Sequence, residues 1–418
     1  MAIDVLSDVL STVRLRGAVF FDVTCVPPWV EESPQGDEIV HSVLPGAEHL
    51  IPYHVVARGA CWAGVTGDEP VRLEAGDIIV FPHGDAHVMS SDRGMRGSPK
   101  DRAIYAHPAD AQLPLQVRVG SGDSDPTQLV CGFLGCDTSP FNPLVASLPR
   151  LVVVNDREGV NPGWLTRFVE IALGESRAKR AGGESVLSRL SELMFVEVIR
   201  RHLDGLQAEH ASWLAGLRDP HAGRALSLLH ERPAQAWTLE ELAREVGLSR
   251  SALAERFTQL VGQPPMQYLA QWRMQVAAGM LTKGSKVIEA ALGVGYDSEA
   301  AFSRAFKRLV GVPPAVWRDR RVQTATPTSA SMTNRRNGPR GPARGPSIDV
   351  VTTVSGGFRP RGRWARRRSA AGSARRHTRR PLHPGGTPPR RPSGSGFRPG
   401  RARRRSRARP RRSSRTRA

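Results

Sequence analysis

The chain has 418 residues and a formal net charge of +21, long enough for two or three domains with separate cores. It has no apolar run approaching the ~18 residues of a membrane span and no basic-then-apolar N-terminus, which argues against a membrane or export role and for a soluble, cytoplasmic protein. The charge is uneven: residues 321–418 hold 28 arginines, no lysine and one acid, a net +27, so residues 1–320 carry −6, divided into −10 for residues 1–223 and +4 for residues 224–320.

An acidic front and a mildly basic later part suggest a regulatory domain joined to a nucleic-acid-binding one. Leu6, Val9, Leu10, Val13 and Leu15 make an amphipathic opening, followed by a strand-like run at 17–23. Further strand-like runs at 38–44, 51–57, 60–65, 71–73, 77–81 and 115–119 are separated by Gly, Pro and Asp, the pattern of an antiparallel barrel or sandwich. The sharpest signal is Gly76-Asp-Ile-Ile-Val-Phe-Pro82-His-Gly84-Asp-Ala-His87, in which glycine starts a strand and Pro-x-Gly turns the chain back. This stretch resembles the second motif of cupins, whose last histidine often binds a metal with two histidines and a glutamate of an earlier strand. Here that earlier strand supplies only His54. His54, His83 and His87 are therefore taken as effector-facing or structural residues, with a zinc or iron site as the alternative; no metal or other cofactor is expected.

Four cysteines, Cys25, Cys61, Cys131 and Cys136, are too few for a disulfide scaffold and lack zinc-site spacing. Cys131 and Cys136 follow an acidic turn at 122–125 and are redox candidates if either is an accessible thiolate of low pKa. Buried core thiols are the alternative.

Helical spacing begins at 161–164, with Leu165, Phe168, Val169, Ala172 and Leu173 on one side. A second, more apolar helix at 184–203 offers one face to the barrel and the rest to a partner subunit, and is read as a dimerisation helix. Asp219-Pro220 starts a helix at 221–230, and Trp237 marks the entry to the next module.

That module says nearly the same thing twice. Ser249, Phe257 and Gly262 recur 49 residues on as Ser298, Phe306 and Gly311, whereas Ala243 and Gly247 recur 48 on as Ala291 and Gly295. The second copy thus has one extra residue in its turn. Each copy reads as helix, Gly-containing turn, Ser cap and second helix, the grammar of a helix-turn-helix. The expected cores are Leu239, Leu242, Ala243, Val246, Leu253, Phe257, Leu260 and Val261 in the first copy. In the second they are Ile288, Ala291, Val294, Tyr296, Phe302, Phe306, Leu309 and Val310. With Ser249 and Ser298 as caps, the candidate DNA-facing residues are Arg250, Ser251, Ala254 and Thr258, then Glu299, Ala300, Ser303, Arg304 and Lys307, with Arg308 a candidate phosphate contact. A helix from Pro264 to Leu281 links the copies.

Trp272-Arg-Met274, Val294-Gly-Tyr-Asp-Ser-Glu299, Phe302-Ser-Arg-Ala-Phe-Lys-Arg308 and Gly311-Val-Pro-Pro resemble the AraC/XylS-type transcriptional regulators. Pro28-Trp29, His54, the 76–87 motif and Leu148-Pro149 are similar to the subgroup with an AraC-binding-type cupin in front. Where that family usually ends in Tyr-Arg, this chain has Trp317-Arg318. The expectation is a multidomain protein: an all-β cupin-like effector domain at 1–155, a helical linker and dimerisation region at 156–217, an all-α DNA-binding domain with two helix-turn-helix units at 218–320, and a disordered Arg-rich tail at 321–418. Double-stranded promoter DNA and a small-molecule or redox effector are the expected partners, with RNA polymerase and a second copy of the chain as further candidates. No catalytic constellation is evident. An oxidant sensor acting through its cysteines and a metal-dependent cupin enzyme fused to a DNA module are the competing readings.

Overall fold

The computed structural model describes residues 3–98, 105, 113–155, 163–206 and 212–325. The front domain runs α1 (Val5–Thr12), β1 (Arg16–Cys25), β2 (Val30–Ser33), α2 (Gly36–Val43), β3 (His49–Arg58), β4 (Ala60–Val65), β5 (Val71–Glu74), β6 (Asp77–Val80), β7 (His87–Ser90), β8 (Leu115–Val119), β9 (Thr127–Cys136), α3 (Pro143–Ser147) and β10 (Val152–Asn155). Its strands form a six-stranded sheet ordered β10-β6-β3-β9-β1-β8 and a four-stranded sheet ordered β2-β7-β4-β5. Among the described strands no hydrogen-bonded ladder joins the two, so the expected barrel is an open, two-sheet form.

Alternation of side chains along each strand gives the large sheet two apolar faces. On β9, Leu129, Cys131 and Phe133 face inward, whereas Val130, Leu134 and Cys136 join a core shared with the helices. On β3 the same alternation sends Tyr53 and Val55 outward to the helices and His54 and Val56 inward.

Two strand expectations need correction. Residues 38–44 are not a strand: Ile39, Val40 and Val43 are buried at helical spacing in α2, with Asp37 and Glu38 in its first turn. The central strand β9 was missed because it is buried on both faces and its apolar run shows no alternation. β2, β7 and β10 are four residues each, too short to show a period.

The outer face of the large sheet is covered by α4 (Trp164–Ala178) and α5 (Gly183–Gly205). Leu187, Met194, Phe195, Val198 and Ile199 of α5 are buried there, each worth roughly 1.5–3 kcal/mol of apolar burial. Tyr53 Oη and Ser191 Oγ lie 2.7 Å apart in the same interface. The helix expected to dimerise is therefore mostly committed within the chain. Val186 and Leu193, two turns apart on α5, remain 45 % and 51 % exposed.

Next come α6 (Trp213–Arg218), α7 (Pro220–Glu231), α8 (Leu239–Glu245), α9 (Arg250–Val261), α10 (Pro265–Thr282), α11 (Val287–Gly293), α12 (Glu299–Val310) and α13 (Pro314–Ala325). The helix starts follow the caps. Asp219 accepts from His221 N and Ala222 N, Ser249 from Ala252 N and Ser298 from Ala301 N, while Thr238 and Glu241 form a reciprocal capping box. At α11 only half of that box forms, Lys286 N donating to Glu289, because Lys286 has no acceptor to return.

The linking helix α10 serves both copies. Tyr268, Leu269 and Trp272 enter the core of the first, and Met274, Ala277, Ala278 and Leu281 that of the second. Ile288 and Leu309, expected in the second core, are exposed instead. The buried stripe of this copy runs 287, 290, 291 and 294, and Ile288 lies off it; in the last turn of α12 Val310, not Leu309, packs inward. The final helix continues to Ala325, past the expected start of the tail at 321, and the expected disorder of the tail beyond it lies outside the described residues. Among the described residues no helix is long and apolar enough to cross a membrane.

Candidate effector cavity and nucleic-acid interface

Between the inner faces of the two sheets lies a cavity of about 130 Å³. Phe21, Val23, Leu115, Val117, Leu129 and Phe133 of the large sheet and Met89 of the small one give it an apolar wall, and Trp29, Glu31, His54 and His87 supply most of the polarity. The structure brings two of the three expected histidines together. His54 Nε2 and His87 Nε2 are 2.8 Å apart, and the His87 ring stacks on Phe81 with centroids 4.0 Å apart. His83 is elsewhere, exposed, with its Nε2 2.8 Å from the Leu148 carbonyl oxygen. It follows Pro82 in the turn between β6 and β7, where Gly84, at φ +69°, directs the chain back towards His87. Among the described residues no group of three His, Cys, Asp or Glu side chains converges to hold a metal ion.

The hydrogen bonds assign the histidine tautomers. His87 Nδ1 lies 2.9 Å from the Asp85 carbonyl oxygen, which can only accept, so Nδ1 carries the proton. In a neutral ring His87 Nε2 is then an acceptor, and His54 Nε2 must donate to it. His54 Nδ1 is left as a bare acceptor. Burial keeps both rings neutral, pushing His54 well below the usual imidazole value and His87 down to about 4.

The same burial makes a prediction for stability. His49, His202 and His230 are also depressed, chiefly by desolvation. In the unfolded chain these groups titrate near ~6.5, so below that pH the unfolded state binds more protons than the folded one. Stability is complete above about 6.5 and falls as pH drops. For His87 the loss accumulates between roughly 6.5 and about 4 and amounts to on the order of 3 kcal/mol. The melting temperature followed from about pH 8 to about pH 5 should fall, and less steeply in His87→Gln.

The cysteines lack the accessible, low-pKa thiolate that a redox role would need, and match the buried core thiols that were the other reading. None of the four is in a disulfide, and all are buried. Cys131 and Cys136 are on opposite faces of β9, Cys131 in the inner core that also holds Cys25 and Cys61, and Cys136 in the helix-facing core. Burial pushes Cys131 well above the usual thiol value and Cys136 up to about 12, the reverse of an activated thiolate.

On the second helix of each repeat, Arg250, Ser251, Glu299, Ala300, Arg304, Lys307 and Arg308 are exposed, and Ala254, Thr258 and Ser303 half-buried. Arg256 behaves differently: it forks onto Asp219 at 2.5–2.9 Å, tying α9 to the cap of α7. Nothing in the spacing separates it from Arg250, because its partner lies 37 residues away.

The sensing and helical parts share one apolar core, which runs from Val5, Val9 and Val130 to Phe257, Tyr268 and Trp272. A hydrogen-bond chain crosses it. Trp213 Nε1 donates to Tyr268 Oη (3.0 Å), Tyr268 Oη donates to His230 Nε2 (2.8 Å), and His230 Nδ1 donates to Asp8 of α1 (2.7 Å). Nearby, Phe141 N donates to Gln275 of α10 at 3.0 Å. Arg321 of α13 reaches Asp137 and Glu48, and Asp137 also accepts from Arg14 at 2.5 and 2.8 Å. Sequence spacing could not expose these residues, since each pair is separated by scores of positions.

Comparison with known proteins matches two family models to the chain. A cupin family model matches residues 4–204 and a helix-turn-helix domain model matches residues 242–320. An AraC-like transcription regulator of Streptomyces antibioticus is 32 % identical over 319 residues, covering 75 % of this chain and 98 % of that protein. The regulator AlkR of Acinetobacter baylyi is 28 % identical, covering 68 % and 92 %, and the activator RclR of Escherichia coli 26 %, covering 67 % and 88 %. Among solved structures, the DNA-binding domain of AdpA in complex with a target DNA is 30 % identical over 26 % of this chain and 96 % of that one, with a TM-score of 0.25.

Proposed function

The chain belongs to the AraC-type transcriptional regulators with a cupin domain in front, and from that membership we propose how its two halves work together. It is a sequence-specific DNA-binding regulator of transcription whose cupin-like domain senses an effector or signal. In our reading the effector enters the cavity between the sheets and acts by binding, without chemistry on the ligand. One observation carries this reading: β9 lines the cavity with Leu129, Cys131 and Phe133 while its other face lies in the core that contains the first helix-turn-helix. A ligand that shifts β9 must repack that core, because close-packed interiors transmit displacement.

Arg250 and Arg304 are then the arginines that reach base edges. Ser251, Ala254, Thr258, Glu299, Ala300 and Ser303 complete the two faces, and Lys307 and Arg308 hold phosphates. Promoter DNA as the target places the chain in the cytoplasm, with RNA polymerase as its output partner. The exposed Val186 and Leu193 of α5 are the side chains we assign to a second copy.

Genome-wide mapping of bound DNA would supply the operator for a direct test. Arg304→Ala and Arg250→Ala should each weaken operator binding by about 1–3 kcal/mol and relax sequence preference at a few base pairs. Lys307→Ala should weaken binding to all sequences and lower the salt dependence. Operator affinity unchanged in both arginine variants would overturn the assignment.

A further inference from the structure

The chemistry of the cavity wall narrows the class of molecule that fits. Its size is the first limit: about 130 Å³ is close to the ~150 Å³ of an engineered apolar cavity that holds benzene, room for one ring or a short chain. Its electrostatics are the second. Among the described residues the wall carries Glu31 and no arginine or lysine, so an anionic ligand would meet a carboxylate and no counter-charge from them. Both imidazoles are neutral, which leaves no cation among the described wall residues to hold a carboxylate or phosphate head.

The third limit comes from two polar atoms of the described wall. Trp29 Nε1 and His54 Nδ1 belong to side chains on this wall, are buried from solvent, and have no hydrogen-bond partner. Their needs are opposite. Indole N–H only donates, and the tautomer fixed through His87 and Asp85 makes His54 Nδ1 an acceptor. A buried polar atom without a partner is costly, and a ligand supplying that partner recovers the difference. A hydroxyl is the smallest group that accepts and donates at once.

We propose that the cavity takes a neutral, mostly apolar molecule of one ring or a short chain that carries a hydroxyl, a phenol or small alcohol, with Trp29 Nε1 donating to its oxygen and its O–H donating to His54 Nδ1. The inference rests on the reading above that this cavity is the effector site. Its selectivity is of the strong kind: a site built to hydrogen-bond a hydroxyl rejects an analogue without one far better than an apolar wall rejects an extra methylene.

Calorimetric titration of the full-length protein with phenol, toluene and benzoate tests this, with operator affinity measured in parallel. Phenol should bind at least on the order of tenfold more tightly than toluene, and benzoate should not bind. His54→Phe and Trp29→Phe should each bring phenol down towards the affinity of toluene; the comparison of ligands on the unaltered protein stands even if either variant fails to fold. Toluene or benzoate binding as tightly as phenol would overturn the hydroxyl requirement and leave the effector cavity in place. Stoichiometric zinc or iron in the purified protein, lost in His54→Ala, would also overturn it, because a metal would take the ring nitrogens that set the tautomers. If none of the three binds, both this inference and the effector reading fail for ligands of this size.

Discussion

Gly295→Ala should destabilise the protein by roughly 2–5 kcal/mol, whereas Gly247→Ala, at the matching position of the first repeat, should cost only about 1–2 kcal/mol. Both glycines have positive φ, +82° at Gly295 and +74° at Gly247, so an alanine at either is strained by the left-handed backbone. They differ in what surrounds them. A Cβ at Gly247 meets open space, while one at Gly295 drives into the backbone carbonyl of Ala234 in the segment between α7 and α8. Backbone cannot swing aside as a side-chain tip can, so the turn of the second unit would be forced from the segment that leads into the first. Urea unfolding of the two variants measures the difference, and equal losses would show that the two turns are not held differently. On the proposed reading of α9 and α12 as the DNA-facing helices, operator binding should weaken in the Gly295 variant beyond what its stability loss explains.

Trp272→Ala should remove about 3–5 kcal/mol, a large part of the ~5–15 kcal/mol that holds a typical domain folded. Trp272 is 1 % exposed, lies where α10 passes from the first core towards the second, and packs against His230 with ring centroids 4.0 Å apart and the planes tilted by 31°. Truncation leaves a cavity beside the Trp213–Tyr268–His230–Asp8 chain and so loosens the junction between the sensing domain and the first helix-turn-helix. Trp272→Phe should cost much less: its indole Nε1 has no hydrogen-bond partner, so only volume is lost. Denaturant midpoints for the pair distinguish packing from polar contributions. A Phe variant as unstable as the Ala variant would contradict this account.

The helical module was the more legible half. Its repeat, its serine caps and its link helix all follow from local rules, in which a side chain three residues from a free N–H, or an apolar stripe at helical period, acts over a single turn. The errors there were small and had one cause. Ile288 and Leu309 are apolar, but the angular position that decides burial depends on which side α10 occupies. The front domain was less legible because sheet partners are non-local. β9 pairs with β1 and β3 across 70 residues or more, and its doubly buried run carries no alternation to mark it. Of the candidate site, His54 and His87 were visible as residues of strands near a cupin-like turn, but Trp29 appeared only as part of a resemblance; Phe21, Leu115 and Val117 fell in strand-like runs with nothing to mark them as cavity lining, and Phe133 fell in no predicted strand.

By itself the sequence carried the family resemblance in its motifs, while its composition, period and spacing determined the duplicated units with their extra turn residue and the displacement of the large positive charge to residues 321–418. Only the tertiary structure decided that His83 stands apart while His54 and His87 meet, that Cys131 and Cys136 face opposite cores, that Arg256 is held by Asp219 while Arg250 stays exposed, and that Gly295 is crowded where Gly247 is not. The physical reason is common to all four. Each depends on what lies across space from a residue, through β-pairing and helix packing between distant segments, and residue type alone does not specify that neighbour.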